Sequence, residues 1–179
     1  LFRSLNVDGK VFGLIYDHLM VAVGSVEDLK RFPVIAENSM RVKAFPDIPQ
    51  VRNHLLTMLE LADIETDSAE LERLLNFVVV GANYAGVEVA GELAEYLPTL
   101  ARRRFPNVPV EKIRITVIHS GERILPELGS HFPKLQAYAQ GAITSHPHLR
   151  LKLGIRLGAA TPEEAVLDNG ERIPTRTII

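Results

Sequence analysis

Cysteine is absent from the 179 residues of the chain, which excludes disulfides, thiolate metal sites and a redox-active cysteine pair from these residues. An excess of either charge is also missing. The formal net charge of −2 gives no electrostatic basis for binding nucleic acid or an anionic membrane surface. No apolar run approaches the roughly 20 residues of a membrane-spanning helix. His146 and His148 lack an accompanying carboxylate or cysteine cluster, so no metal site is predicted.

The alternation of strand and helix patterns predicts a Rossmann-like, doubly wound α/β fold. A short apolar run at 77–80 is typical of a strand buried in a parallel sheet. The helical pattern after it extends towards Arg104, and a second strand at 113–118, a helix at 133–144 and a third strand at 149–153 follow. Such alternation favours a parallel sheet with right-handed crossovers.

Further segments flank this unit. Asp8-Gly9 predicts a hairpin turn, and the apolar run at 19–23 predicts another strand. The polar stretch at 26–38 predicts a connector, after which helical periodicity begins at Asp47. Near the end of the sequence, the turn DNG at 168–170 and the short strand patterns around it predict an antiparallel β-meander.

The stretch NFVVVGANYAGVEVAGELAEYL, residues 76–97, changes from a strand pattern to a helix pattern at a glycine. In a dinucleotide-binding turn the first glycine permits the tight bend, the second lets the backbone approach the diphosphate, and the third lets the helix pack closely on the strand. Gly81 and Gly86 occupy the first and third positions, and Asn83 occupies the second. Asparagine tolerates left-handed backbone angles, so we expect the turn to form. We also expect the Asn83 amide to reach the phosphates.

The helix that follows the turn offers free N–H groups and a partial positive charge to a diphosphate. The residues expected to line that diphosphate are consecutive: Gly81, Ala82, Asn83, Tyr84, Ala85 and Gly86. A tight turn that binds no ligand is the alternative explanation of the same glycines. The position of the motif between a strand and a helix favours the nucleotide site.

The strand at 113–118 should present an acidic residue to the adenine ribose of NAD(H) at its end. It ends instead in His119-Ser120, with Arg123 close by. Because a neutral or basic strand end can accept a 2′-phosphate, NADP(H) is an alternative to NAD(H). We therefore assign His119, Ser120 and Arg123 to the adenosine end of the site. The alternative is that His119 and Ser120 are surface residues of a loop.

Several segments, in order, resemble the FAD-dependent pyridine nucleotide oxidoreductases, and among them the type II NADH dehydrogenases. YDHLMVAVGS is similar to the family pattern YDxLVxAxGS. LLNFVVVGANYAGVEVAGELAEYL resembles LTFVVVGGGxTGVELAGELAE, and ITVIHSGERILPEL resembles ITLVEAxxRILP. The chain departs from these patterns at Ala82, Asn83 and His119, where the family has glycine, glycine and glutamate.

The resemblance implies a NAD(P)H-binding Rossmann domain at 34–179, preceded at 1–33 by a linker and a trailing strip of an FAD-binding domain. The parent protein is then expected to be an FAD-dependent NADH dehydrogenase that passes electrons from NADH via FAD to a quinone. We expect a homodimeric, peripheral membrane flavoprotein, in the cytoplasm or on the cytoplasmic face of the membrane. The first residues, which lack an initiator Met, and the strand-like last residues indicate a piece of a longer polypeptide. The isolated piece is expected to bind NADH weakly, without flavin or turnover.

The resemblance also assigns two residues outside the turn. Gly24 lies where the family backbone approaches the flavin nucleotide. Glu88, expected in the first turn of the phosphate helix, corresponds to a glutamate that reaches the nicotinamide–flavin junction and is the predicted catalytic residue. The alternative is that the Glu88 carboxylate only stabilises the helix dipole, by roughly 0.3–1 kcal/mol.

Two other functions are consistent with the sequence. The first alternative is a non-catalytic NAD(P)-binding module, a redox sensor or an interaction domain, which the substitutions at Ala82, Asn83 and His119 leave open. Another oxidoreductase of the superfamily, such as a sulfide:quinone or apoptosis-inducing-factor-like enzyme, is the second alternative. The lack of cysteine argues against the branch that uses a cysteine pair in the NAD domain.

Overall fold

The structure is a computed structural model that describes residues 2–5, 9, 11–14, 16–25, 32–129 and 131–179. The strands in this part of the chain are β1 (Phe2–Leu5), β2 (Val11–Leu14), β3 (Asn76–Val80), β4 (Arg114–His119), β5 (Leu149–Leu153), β6 (Leu157–Ala160), β7 (Glu164–Leu167), β8 (Arg172–Pro174) and β9 (Thr177–Ile178). The helices are α1 (Pro33–Glu37), α2 (Asp47–Ile64), α3 (Ser68–Leu75), α4 (Tyr84–Arg104) and α5 (Pro133–Ser145). None of these helices combines the length and apolar composition needed to cross a bilayer.

A parallel sheet with strand order β5-β4-β3-β9 forms the centre of the fold, which confirms the predicted α/β class. The chain proceeds from β3 outwards through β4 to β5, and β9 then adds to the opposite side of β3. The strand order therefore reverses beside β3. In α/β sheets of this kind, ligands bind in the crevice at the carboxyl ends of the strands where the order reverses.

The two faces of this sheet pack against different layers. Val79 and Val117 belong to a core that includes buried residues of α2, α4 and α5, whereas Val78 and Ile118 pack with buried residues of the β-meander. Neighbouring residues of a strand point to opposite faces, which is why both Val78 and Val79 are buried. The second face is thus covered by strands β6–β8 rather than by a second layer of helices.

The antiparallel meander β6-β7-β8 is confirmed, and its β7–β8 turn contains Gly170 at φ 87°. The predicted hairpin is also confirmed: β1 and β2 are antiparallel, with Leu5 opposite Val11. Of the turn between them only Gly9 is described, at φ 72°. Residues 6–8 and 10 lie outside the described residues.

The predicted strand at 19–23 is wrong. The segment forms no strand and joins no sheet in the described part of the chain, and Met20 and Val23 are 88% and 89% exposed. A strand needs partners for its backbone groups, and an apolar run alone does not supply them. The predicted connector at 26–38 contains a short helix, α1, which has Pro33 at its first position, where proline fits a helix. Residues 26–31 lie outside the described residues.

The helix predicted from Asp47 is confirmed as α2. Its apolar periodicity buries Val51, Leu55, Met58, Leu59 and Ala62. Ile48, at the start of the same pattern, is 50% exposed. The burial of one face fixes α2 against the sheet core and places His54 next to β9, as the contacts below show.

Candidate nucleotide-binding site

Two glycines of the β3–α4 turn are required by the geometry. Gly81 has φ 107°, a backbone angle that side-chain-bearing residues rarely adopt, and its N–H donates to the Ile118 carbonyl at 2.8 Å. A Cβ on Gly86 would lie 1.9 Å from the carbonyl oxygen of Gly81. The first position therefore needs glycine for the bend, and the third needs it because α4 begins in contact with the end of β3.

Asn83 acts as the N-cap of α4. Its backbone is extended, with φ −75° and ψ −176°, so the turn forms as expected but does not use the left-handed angles that asparagine tolerates. Gly81 supplies the positive φ instead. The Asn83 Oδ1 accepts a hydrogen bond from the Gly86 N–H at 3.1 Å, which satisfies one of the N–H groups that every helix start leaves without a partner. The cap thereby occupies a donor that a phosphate would otherwise use.

The N–H groups of Tyr84 and Ala85 remain as donors. These are the first residues of α4, so no helical carbonyl lies one turn earlier to accept from them. Both residues are exposed, and they lie at the positive end of the helix dipole. The turn can therefore offer an anion two backbone N–H groups without any rearrangement.

His119 is bonded directly to the turn. Its Nδ1 accepts a hydrogen bond from the Ala82 N–H at 3.2 Å. An accepting Nδ1 carries no hydrogen, so in this arrangement the ring hydrogen is on Nε2. A Cβ on Gly121 would lie 2.9 Å from that Nε2, and the half-buried ring thus fills the space above a glycine. The strand end and the glycine turn form one hydrogen-bonded unit.

Two of the clefts beside this unit are lined by residues of the glycine turn. The first, which we call the β9 cleft, has a volume of about 240 Å³ and reaches Ile179, the residue after β9. Its polar and turn residues are Ser39, Arg41, Asn83, Ala85 and Gly86. Arg41 is exposed and has no ion-pair partner among the described residues. Sequence reasoning missed Arg41, although it opens the segment RVKAFP that precedes α2.

The second cleft, which we call the adenosine cleft, has a volume of about 290 Å³ and lies between the ends of β3 and β4 and the start of β6. Gly81, His119, Ser120 and Arg156 line it together with apolar side chains. Sequence reasoning missed Arg156 as well. The signal available was its place shortly after the carboxyl end of β5, at the same edge of the parallel sheet.

The structure separates the other predicted site residues from these clefts. Arg123 lines a neighbouring cleft with His119 and Glu122 but does not line the adenosine cleft. Glu88 is exposed and lies beyond the first turn of α4, which contains no acidic residue, so its expected place in that turn is wrong. The helix begins at Tyr84, directly after the cap at Asn83, so Glu88 is its fifth residue. Gly24, at φ 69°, lies in the exposed segment 16–25 and lines neither cleft.

Polar contacts fix β9 beside the β9 cleft. The His54 Nε2 lies 2.8 Å from the Thr177 Oγ1 and joins α2 to β9. Burial lowers the pKa of His54, partly offset by a hydrogen bond with the Arg176 backbone. The Arg176 guanidinium donates to both oxygens of Glu70 at 2.8 and 2.9 Å, and this hydrogen bonding lowers the pKa of the Glu70 carboxyl. The residues around β9 are therefore tied to both α2 and α3.

The two histidines that follow α5 have other partners. The His146 Nε2 lies 3.2 Å from a Glu95 oxygen, and the His148 Nδ1 lies 2.9 Å from the Ile113 carbonyl. Within the described residues, no group of three histidine, cysteine or acidic side chains is arranged to hold a metal ion. These rings connect α4, α5 and β4.

Comparisons with known proteins identify the family of the chain. The family described as "Pyridine nucleotide-disulphide oxidoreductase" matches residues 2–179. The chain is 28% identical to the "Probable NADH dehydrogenase" of Dictyostelium discoideum, over 97% of this chain and 38% of that protein. It is 34% identical to "Type II NADH:quinone oxidoreductase NdhA" of Mycobacterium tuberculosis, over 70% of this chain and 26% of that protein.

Among solved structures, NDH2 from Plasmodium falciparum in complex with NADH has a similar fold, with a TM-score of 0.78 and 18% identity. The similarity covers 99% of this chain and 36% of that one. The chain thus spans well under half the length of each of these proteins. The family match nevertheless covers nearly all of the sequence, and this chain therefore belongs to the pyridine nucleotide-disulphide oxidoreductase family.

Proposed function

We propose that the chain is the nicotinamide-nucleotide-binding part of a flavin-dependent NAD(P)H:quinone oxidoreductase. One observation supports this most strongly: the glycine turn leaves the N–H groups of Tyr84 and Ala85 open at the carboxyl edge of the sheet, beside the reversal of strand order. A dinucleotide bound there places its diphosphate on these amides. Its adenosine enters the adenosine cleft, and its nicotinamide enters the β9 cleft.

The names of the relatives support the reaction type. Relatives that share 28% and 34% identity are named NADH dehydrogenase and type II NADH:quinone oxidoreductase, and the structural neighbour contains NADH. FAD, when bound in the complete protein, supplies the two-electron redox chemistry. In this proposal the residues of the chain bind and orient the dinucleotide. Glu88 does not line the β9 cleft itself but is next to the cleft residue Val89 in α4, and it helps to position the nicotinamide ring where the ring meets the flavin of the complete protein.

The same proposal covers the organisation of the parent protein. Residues 34–179 form the NAD(P)H-binding domain, and 1–33 belong to an FAD-binding domain and its linker, with Gly24 near the flavin nucleotide. The proposed electron acceptor is a quinone, and the proposed parent is a homodimer attached to the surface of a membrane. Electrons then pass from the dinucleotide through the flavin to the quinone.

The direct test is calorimetric titration of the purified chain with NADH, together with a Gly86→Ala variant. A methyl group at Gly86 would meet the Gly81 carbonyl, so this variant should lose NADH binding. Gly91→Ala is the matched control, since a Cβ at Gly91, in the same helix, meets nothing within 4 Å. Circular dichroism checks that both variants fold. Failure of the unaltered chain and of the full-length protein to bind either NADH or NADPH would contradict the proposal.

An activity assay of the full-length protein distinguishes an enzyme from a redox sensor. The enzyme should oxidise NADH or NADPH with a soluble quinone. Binding of the dinucleotide without any turnover would favour the non-catalytic module instead.

A further inference from the structure

The adenosine cleft combines an apolar wall with a group of hydrogen-bond donors. Phe32, Ile155 and Leu157 provide apolar surface, which suits an adenine ring. His119, Ser120 and Arg156 are the polar side chains at the same cleft, and no carboxylate lines it. A site that selects NAD(H) places an acidic side chain against the adenine ribose hydroxyls, and a site that accepts the 2′-phosphate places an arginine there.

The polar side chains of the cleft are free to act as donors. Because the His119 Nδ1 accepts from Ala82, the hydrogen of this imidazole is on Nε2, which has no hydrogen-bond partner within the described residues. Arg156 is exposed, and its guanidinium forms no ion pair in the described part of the chain. Its backbone N–H donates to the Asp168 Oδ1 at 3.2 Å, which anchors the start of β6 without engaging the side chain.

The nearest carboxylate in the sequence occupies a different place. The Glu122 Oε1 lies 3.3 Å from the position of a Cβ on Gly154, at the turn that leaves β5, and Glu122 lines the neighbouring cleft with Arg123. Glu122 therefore does not replace the acidic residue that the end of β4 lacks. Among the residues that line the adenosine cleft, only Arg156 carries a formal charge.

We propose that this chain selects the 2′-phosphorylated dinucleotide, NADPH, over NADH, with Arg156, Ser120 and the His119 Nε2–H holding the 2′-phosphate. The inference rests on the proposed function, because it assumes that the dinucleotide lies across the glycine turn. A guanidinium forms strong, charge-assisted hydrogen bonds to a phosphate. NADH has only a hydroxyl at this position, and the cleft offers that hydroxyl no carboxylate.

The test measures dissociation constants for NADH and NADPH by titration calorimetry with the protein in its full natural length. We expect the dissociation constant for NADPH to be about tenfold lower than that for NADH, because one charge-assisted hydrogen bond to the 2′-phosphate changes affinity by about this factor. Arg156→Ala should remove most of this preference, because it should weaken the binding of NADPH and leave the binding of NADH nearly unchanged. Arg114→Ala is the matched control, because Arg114 is an exposed arginine at the opposite end of β4. Adenosine 2′,5′-bisphosphate against AMP repeats the comparison for the adenosine half alone.

Two variants of His119 complete the experiment. His119→Glu places a carboxylate at the strand end and should reverse the preference towards NADH. His119→Gln retains an acceptor for the Ala82 N–H and a donor for the phosphate, so it should keep the preference for NADPH. The inference would be overturned if the unaltered protein bound NADH as tightly as NADPH, or more tightly. It would also be overturned if Arg156→Ala weakened the binding of both dinucleotides equally. Binding of neither dinucleotide would instead contradict the proposed function.

Discussion

The side chain of Asn83 and the backbone of Gly86 are joined by a hydrogen bond of 3.1 Å across the first turn of α4. In a glycine-rich turn without such a cap, the Gly86 N–H would be available to a phosphate. Here a ligand must either leave this bond intact and use the N–H groups of Tyr84 and Ala85, or displace the asparagine. Helix stability and affinity for an anion therefore compete for the same donor.

Replacement of Asn83 by glycine tests this competition. The variant frees the Gly86 N–H and removes side-chain bulk, so NADH should bind more tightly, by about 1 kcal/mol. The helix should lose only a few tenths of a kcal/mol, because glycine is itself an acceptable N-cap. Calorimetric titration and thermal unfolding measure the two effects. If affinity stays the same or falls, the asparagine amide itself helps to hold the ligand.

Arg41 is expected to contribute to dinucleotide binding from the β9 cleft. Arg41 is exposed and lines the same cleft as the first turn of α4, where a diphosphate would lie in the proposed complex. Arg41→Ala should weaken the binding of NADH about tenfold. The affinity that remains should depend less on salt concentration than the affinity of the unaltered protein does. The control is Arg52→Ala, which removes an exposed arginine of α2 whose hydrogen bonds go to the adjacent Asn53. The assignment fails if both variants bind NADH as the unaltered protein does.

Local signals in the sequence were enough to predict the central sheet and the phosphate helix. The strand β3 is a continuous apolar run, and the periodicity of α4 and the glycines at its start depend on residues close in the chain. The features that were missed depend on distant partners. Residues 19–23 have the composition of a strand but no strand beside them, and Arg41 and Arg156 reach the site only because α2, β5 and β6 pack as they do.

Asn83 illustrates the same limit at a single position. The sequence indicated a residue that could adopt left-handed angles, which was physically reasonable. The structure places the positive φ at Gly81 and leaves Asn83 extended, as a cap. The choice between these arrangements depends on the hydrogen bond from Gly81 to Ile118 in the neighbouring strand, which the local sequence does not reveal.

His54 should make the stability of the protein depend on pH. Burial lowers its pKa below the ordinary value of 6.5, so the unfolded chain binds a proton more readily than the folded one. The free energy of unfolding should therefore be highest above about pH 6.5 and fall as the pH decreases towards the lowered pKa. Urea unfolding at a series of pH values measures this slope. His54→Gln does not titrate and can still bond to Thr177. The free energy of unfolding of this variant should therefore change less with pH between about pH 5 and about pH 7. Equal slopes in the two proteins would contradict the prediction.

Replacement of Glu88 distinguishes a role of this residue in the reaction from a role in the stability of the helix. The carboxylate lies beyond the first turn of α4, where the influence of the helix dipole is already weak. If it positions the nicotinamide ring, Glu88→Gln in the full-length protein should lower kcat by up to about a hundredfold and leave the dissociation constant for the dinucleotide nearly unchanged. Stopped-flow measurement of flavin reduction separates this step from quinone reduction. Glu92→Gln is the control, since Glu92 is an exposed glutamate one turn further along the same helix. A loss of stability with no change in the rate of flavin reduction would leave Glu88 with an electrostatic role in the helix alone.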